Sequence, residues 1–313
     1  MAAILPPALA TVSRSDLGRG DGVGGERDAV IRRLCIVGTG LIGGSLARDL
    51  RRLGAVGEVV GSSRHAVNLE RAVELGIIDG FDTDPGRAAA GADMVVVAVP
   101  LGRTGMVLER VRDAIDDDAV ITDVGSAKGS VVAAAREFLG SRLPRFVPGH
   151  PVAGTEHHGV DSSVERLFER RRVVLTPIGE TDITAIERVS TMWRAVGAEV
   201  VEMDVAHHDE VLAATSHLPH MLAYALVDML GNMKDRTEIF GYSAGGLRDF
   251  TRVASSDPQM WHDICLGNRA AMVDAIDRFR SDLDRLTDAV RRGDGEYVRA
   301  VFTRAKAIRD RYS

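Results

Sequence analysis

A short apolar strand that runs straight into three spaced glycines constrains this chain more than any other feature. Leu34-Cys35-Ile36-Val37 leads into Gly38-Thr39-Gly40-Leu41-Ile42-Gly43-Gly44-Ser45, and an amphipathic helix opens at Leu41. Each glycine has a physical task. Gly38 permits a tight turn, Gly40 lets the backbone approach a pyrophosphate closely, and Gly43 lets the helix pack near the strand. The helix start offers unpaired N–H groups and a partial positive charge, which suit an anion.

The pattern downstream is strand alternating with helix. Apolar runs at Glu58–Ser62, Asp93–Pro100, Ala119–Val124, Arg145–Pro148 and Val173–Pro177 are separated by helical stretches. That alternation predicts an α/β Rossmann-type, doubly wound parallel sheet with ligands at the carboxyl ends of its strands. Val173–Pro177 reads as the last strand of this unit. After a helix at Asp182–Val196 and a brief strand at Glu199–Glu202, the chain from Val205 onward is almost wholly helical. Breaks are expected near Gly241–Gly246, Ser255–Pro258 and Gly293–Gly295. The expected division is a disordered tail over 1–28, a dinucleotide-binding domain over 29–178 and an all-α domain over 179–313. The helix from about Asp204 to Leu230 is strongly apolar after His220, so it is expected to form the core of a homodimer.

Composition narrows the function classes. A chain of 313 residues with a formal net charge of −6 and no basic block argues against a nucleic-acid partner. No apolar run reaches membrane-span length. The two cysteines, Cys35 and Cys265, lie far apart and read as thiols, which fits a reducing, cytoplasmic compartment.

Four further segments carry chemistry. At the end of the second strand, where an acidic residue would bind the ribose of NAD, stands Ser62-Ser63-Arg64. Two hydroxyls and a guanidinium suit a 2′-phosphate, so NADP is favoured over NAD. The candidate cofactor residues are Gly38, Thr39, Gly40, Leu41, Ile42 and Gly43, then Ser62, Ser63 and Arg64, with Val99 and Pro100 at the next strand end. In Asp123-Val124-Gly125-Ser126-Ala127-Lys128, Ser126 is placed to cap a helix or to face substrate. Lys128 opposes the helix dipole there, which hints at a ligand. In Gly149-His150-Pro151-Val152-Ala153-Gly154-Thr155-Glu156, His150 reads as a loop imidazole able to accept a proton near neutral pH. Glu156 stands close behind it. Asp209, Ala213, Ser216 and His220 share one helical stripe, and Pro219 frees a carbonyl one turn earlier. His217 and His220 stand three apart, but no HExxH and no nearby cysteine supports zinc, so no metal is expected. Finally, Asp249 and Arg252 are one turn apart. They either pair locally, or Arg252 clamps a substrate carboxylate. Trp261 lies in the first turn of the helix that Asp257-Pro258 opens.

Taken together, Gly38–Ser45, Asp123–Lys128, His150–Glu156, Ser216-His217-Leu218-Pro219-His220 and Asp249-Phe250-Thr251-Arg252 resemble the prephenate/arogenate dehydrogenases of tyrosine biosynthesis, from about Leu34 onward. The resemblance implies oxidative decarboxylation of prephenate, or alternatively of arogenate, with hydride transfer to NAD(P)+. It implies His150 at the ring hydroxyl with Ser126 beside it, and Arg252 on a substrate carboxylate. Ser216, His217 and His220 would shape the pocket, supported by Asp209, Asp249 and Trp261, while Glu156 gates or orients across a dimer. It implies neither a regulatory ACT domain nor a chorismate mutase module in this chain. Against hydroxyacid and imine reductases of similar layout, no lysine stands between Lys128 and Lys234.

Overall fold

The computed structural model describes residues 31–154, 159–234 and 236–312. The tail expected over 1–28 and Glu156 lie outside the described residues. The central sheet has six parallel strands: β1 (Ile31–Val37), β2 (Val56–Ser62), β3 (Gly80–Phe81), β4 (Met94–Val97), β5 (Val120–Asp123) and β6 (Phe146–Val147). Their order is β3-β2-β1-β4-β5-β6, the doubly wound order that reverses direction between β1 and β4. Helices α1 (Leu41–Arg52), α2 (Ala66–Glu74), α3 (Pro85–Ala89), α4 (Thr104–Arg112) and α5 (Lys128–Phe138) connect the strands.

Most buried strand positions are apolar because both faces are covered; Arg32, Arg33 and Glu58 stand where β1 and β2 enter the sheet, and Ser62, Thr122 and Asp123 are buried polar exceptions at or near the strand ends. Leu34 and Ile36 of β1, with Met94 and Val96 of β4, enter one core with Leu46 and Leu50 of α1. Cys35 and Val37, with Val95 and Val97, enter the opposite core with Leu108 and Val111 of α4. Alternate side chains point to opposite faces, so a strand buried on both sides is apolar at most positions.

Two expectations change at the far edge of this sheet. Pro148 follows β6, and the chain then forms β7 (Gly149–Pro151) rather than a loop. β7 pairs antiparallel with β8 (Arg172–Leu175), and β8 pairs parallel with β9 (Glu199–Glu202), giving a separate three-stranded sheet. Val173–Leu175 is therefore not the last strand of the parallel sheet, and His150 sits on a strand opposite Val174. The boundary also moves. α6 (Ile183–Ala195) buries Ile186, Val189, Met192 and Trp193 in the same core as β1, so residues 179–202 pack with the nucleotide half rather than opening the helical one.

The helical half comprises α7 (Val205–Leu212), α8 (Leu218–Gly231), α9 (Arg236–Gly241), α10 (Gly245–Thr251), α11 (Pro258–Gly267), α12 (Arg269–Arg292) and α13 (Gly295–Arg309). Asp204, Asp257 and Asp294 cap α7, α11 and α13 with their carboxylates. Between α7 and α8 the helix does not stop but widens into a π-helical turn over Ala213–His217. Pro219 has no N–H for the Thr215 carbonyl, and the wider turn relieves that conflict. α8 buries only Ala223, and α12 only Met272 and Ala289. Met229, Phe279, Leu283, Val290, Phe302 and Ile308 remain exposed, leaving a broad apolar surface on this half.

Candidate active site

The glycine turn is shaped for an anion. Gly38 has φ +104°, and a Cβ there would fall 2.1 Å from the Ala98 carbonyl oxygen. A Cβ on Gly43 would fall 2.2 Å from the Gly38 oxygen, whereas one on Gly40 would meet nothing within 4 Å. Gly40 is the N-cap of α1, with no side-chain hydrogen bond to the first N–H groups. The open space thus lies where a pyrophosphate would approach, and the closed contacts lie behind it. Thr39 is buried, and Leu41 and Ile42 are half-buried. At the end of β2, Ser62 is buried, Ser63 half-buried and Arg64 exposed; Val99 is half-buried and Pro100 exposed.

A buried polar node holds the next two segments. Lys128 Nζ donates to Asp123 Oδ2 at 2.5 Å and to the Gly149 carbonyl at 2.6 Å. The same Asp123 accepts from Gly125 N and Gly149 N at 2.7 and 3.1 Å. Lys128, expected to face a ligand, thus answers an internal carboxylate. Its side chain is fully buried, and burial pushes its pKa down against the pull of Asp123. Nor does Ser126 cap α5. It is half-buried on the turn, and the first N–H groups of α5 are met by Asp209 of α7: Lys128 N at 2.7 Å and Gly129 N at 2.8 Å. One carboxylate therefore joins the two halves of the chain.

His150 is 8% exposed, far from the loop setting expected of it. Its Nδ1 lies 2.9 Å from His208 Nε2, and His208 Nδ1 lies 2.9 Å from Asp209 Oδ1. Burial first, then Lys128, His208 and His217, push the His150 pKa well below 6.5. The ring is therefore a neutral base at pH 7. Burial disfavours the charged form of Asp209, but hydrogen bonds from His208, Lys128 N and Gly129 N outweigh it and hold the carboxyl below its ordinary value.

The helical half adds three more rings. His217 is fully buried; Asn268 Nδ2 donates to its Nδ1 at 3.1 Å and to the Asp209 carbonyl at 2.8 Å. Burial lowers the His217 pKa to about 4 against the pull of Asp209. Trp261 Nε1 is buried with no hydrogen-bond partner among the described residues, whereas His217 lies against the Ser126 backbone carbonyl. His220 stacks on Trp261 with ring centroids 3.7 Å apart, and His217 meets the same indole edge-on at 6.1 Å. His220 Nδ1 donates to the Ser216 carbonyl at 2.9 Å. Burial chiefly, and Arg252 beside it, lower the His220 pKa.

The expected stripe is thereby re-aimed. After Asp209 and Ala213, the π turn brings His217 rather than Ser216 to the buried face, and Ser216 is half-buried. His217 and His220 both meet the Trp261 ring, His217 acts electrostatically on His150 and Arg252 on His220; Asp249 is exposed on α10. Sequence reasoning passed over Asp123, His208 and Asn268. Adjacent buried polar residues at His208 and Asp209 are the signal that marks the second of these. Among the described residues no three His, Cys, Asp or Glu groups are placed to share a cation, and no helix is long and apolar enough to cross a membrane.

Residues 46–202 match the family of the prephenate dehydrogenase nucleotide-binding domain, and residues 204–304 match the prephenate dehydrogenase dimerization domain. A cyclohexadienyl dehydrogenase of Zymomonas mobilis is 37% identical over 90% of this chain and 96% of its own length. A prephenate dehydrogenase of Bacillus subtilis is 35% identical over 88% of this chain and 75% of its own. Among solved structures, prephenate dehydrogenase from Aquifex aeolicus, bound to hydroxyphenyl propionate and NAD+, superposes with a TM-score of 0.85 at 37% identity, covering 90% of this chain and 98% of that one. A nucleotide-binding sheet, a helical dimerization domain and these relatives together place the chain in the prephenate dehydrogenase family, the NAD(P)-dependent oxidoreductases of tyrosine biosynthesis.

Proposed function

We propose that this chain converts prephenate to 4-hydroxyphenylpyruvate with His150 as the group that receives the ring hydroxyl. The observation that carries the reading is a buried, neutral imidazole at the carboxyl end of the parallel sheet, fixed through one ring nitrogen and leaving the other for substrate. The glycine turn fits a dinucleotide, held by Gly38 to Gly43 with Val99 and Pro100. When bound, the cofactor accepts the hydride released from the carbinol carbon. As that hydride departs, the ring carboxylate leaves as carbon dioxide and its electron pair enters the ring. The oxygen keeps its proton as a phenol, so no proton is lost overall. His150 thus accepts a hydrogen bond from the hydroxyl while its oxygen becomes electron-poor. Aromatisation drives the step, and the remaining task is positioning.

In this reading Arg252 holds a substrate carboxylate beside His220 and Trp261. In the same reading Ser126 acts with His150 at the ring hydroxyl, while Ser216 and His217 line the pocket. Asp249 supports its rim. The missing carboxylate at the end of β2, with Arg64 exposed there, supports NADP over NAD. Exposed apolar residues on α8, α12 and α13 support a homodimer through the helical half, and two free thiols support a cytoplasmic location.

Arogenate has one observation in its favour. Neutral His220 donates Nδ1–H to the Ser216 carbonyl, so its Nε2 is an acceptor and complements an ammonium group better than a keto oxygen. A spectrophotometric assay with prephenate and arogenate, each against NAD+ and NADP+, decides among these. We expect turnover with prephenate and a higher kcat/KM with NADP+. His150→Asn should lose several orders of magnitude in kcat at unchanged cofactor affinity, and Arg252→Gln should raise KM more than it lowers kcat. Absence of cofactor reduction with both substrates refutes the reading.

A further inference from the structure

We infer that His208 is a positioning residue: with Asp209 it holds His150 in the ring tautomer that leaves Nε2 bare for the substrate. This rests on the role proposed for His150 and adds what sets its proton.

Asp209 Oδ1 already accepts from Lys128 N, and Oδ2 from Gly129 N. An ionised carboxylate only accepts, so the 2.9 Å contact to His208 requires a hydrogen on His208 Nδ1. With a single hydrogen, on Nδ1, His208 presents a lone pair at Nε2, and the 2.9 Å contact to His150 is then met by Nδ1–H of His150, which leaves the lone pair of His150 on Nε2. Without an acceptor at Nδ1 the ring is free to carry its hydrogen on Nε2, and the base is lost at the atom that needs it. Both rings are buried and their planes cross at 72°, so neither has room to turn and repair the arrangement.

The charges facing His150 come from each element around it: Lys128 of α5, itself paired to Asp123 of β5; His208 and Asp209 of α7; and His217 of the π turn. Asp209 also caps α5, so substitution there disturbs the join between the halves; His208 isolates the ring effect.

Two measurements test this. In uniformly 15N-histidine-labelled wild-type protein at pH 7.5, with His150→Asn used for assignment, two-bond proton–nitrogen correlations should show the His150 hydrogen on Nδ1; finding it on Nε2 overturns the inference. In turnover, His208→Leu should lower kcat on the order of 10²-fold or more, as expected when an oriented imidazole loses its tautomer partner. KM and cofactor affinity should stay within about threefold. His208→Gln offers an amide oxygen to His150 and an amide N–H to Asp209, and should recover most of that loss. Leu and Gln variants that are equally impaired, or a Leu variant within about threefold of wild type, overturn the inference. If His150→Asn itself retains turnover, the reading of His150 has failed; if it is inactive while His150 carries its hydrogen on Nε2, only the role of His208 falls.

Discussion

Replacing Lys128 with methionine tests the buried node beneath the site. Lys128 and Asp123 are 0% and 1% exposed and 2.5 Å apart. At an effective dielectric constant of about 20 the lost attraction is on the order of 6 kcal/mol. Part of that is returned because the ammonium no longer has to be desolvated, and breaking one side of a buried pair typically costs about 3–5 kcal/mol net. Asp123 retains Gly125 N and Gly149 N, which places the expectation at about 3 kcal/mol, the low end of that range. The double variant Lys128→Met, Asp123→Asn leaves no charge behind, so it should recover about half or more of the loss. Urea unfolding followed by the fluorescence of buried Trp193 measures both. A single variant within about 1 kcal/mol of wild type, or a double variant as unstable as the sum of its parts, refutes the reasoning. Because Lys128 also holds the Gly149 carbonyl, next to His150, kcat of the folded single variant should fall as well.

Two other expectations separate fold from ligand and folded from unfolded. Gly40→Ala enters open space and should change stability by about 1 kcal/mol at most while weakening NAD(P)+ binding; Gly43→Ala meets the Gly38 oxygen and should cost about 1–3 kcal/mol or more, both read by thermal melts and cofactor titration. His217 titrates at about 4 in the fold, so below pH 6.5 the unfolded chain takes up the proton first. Stability should therefore fall between pH 6.5 and about 4, by up to about 3 kcal/mol, and level off below; His150 acts in the same direction, and urea midpoints at pH 7.5, 6 and 5 check the slope.

The parts of the fold legible in the sequence are those with local causes. The glycine turn follows from backbone geometry, and the doubly buried strands follow from unbroken apolar runs such as Met94–Val97. The breaks at Gly293 and Asp257-Pro258 follow from a left-handed C-cap and a proline in the first helical turn. What was hidden depends on pairing at a distance. Nothing local to Val173–Leu175 tells whether its neighbour is β6 or a strand after Pro148; that choice rests on which backbone comes back to it. Lys128 looked like a ligand group because its partner is on the preceding strand, across a turn. Ser126 looked like the cap because the real one, Asp209, is 81 residues from Lys128. His208 carried no periodic signal, since it and Asp209 are neighbours in sequence and both buried.

The wide turn at Ala213–His217 amounts to one residue more than a regular helix would use. Rewinding it into an ordinary helix with no residue lost would turn every side chain beyond it by about 100° around the helix axis. His220 would then leave the indole it stacks on, and the apolar flank of α8 would face a different direction. A change that relaxed this turn would therefore spare the helix yet re-aim the pocket and the apolar flank of α8 together, so the width of this turn matters as much as the identity of any side chain in it.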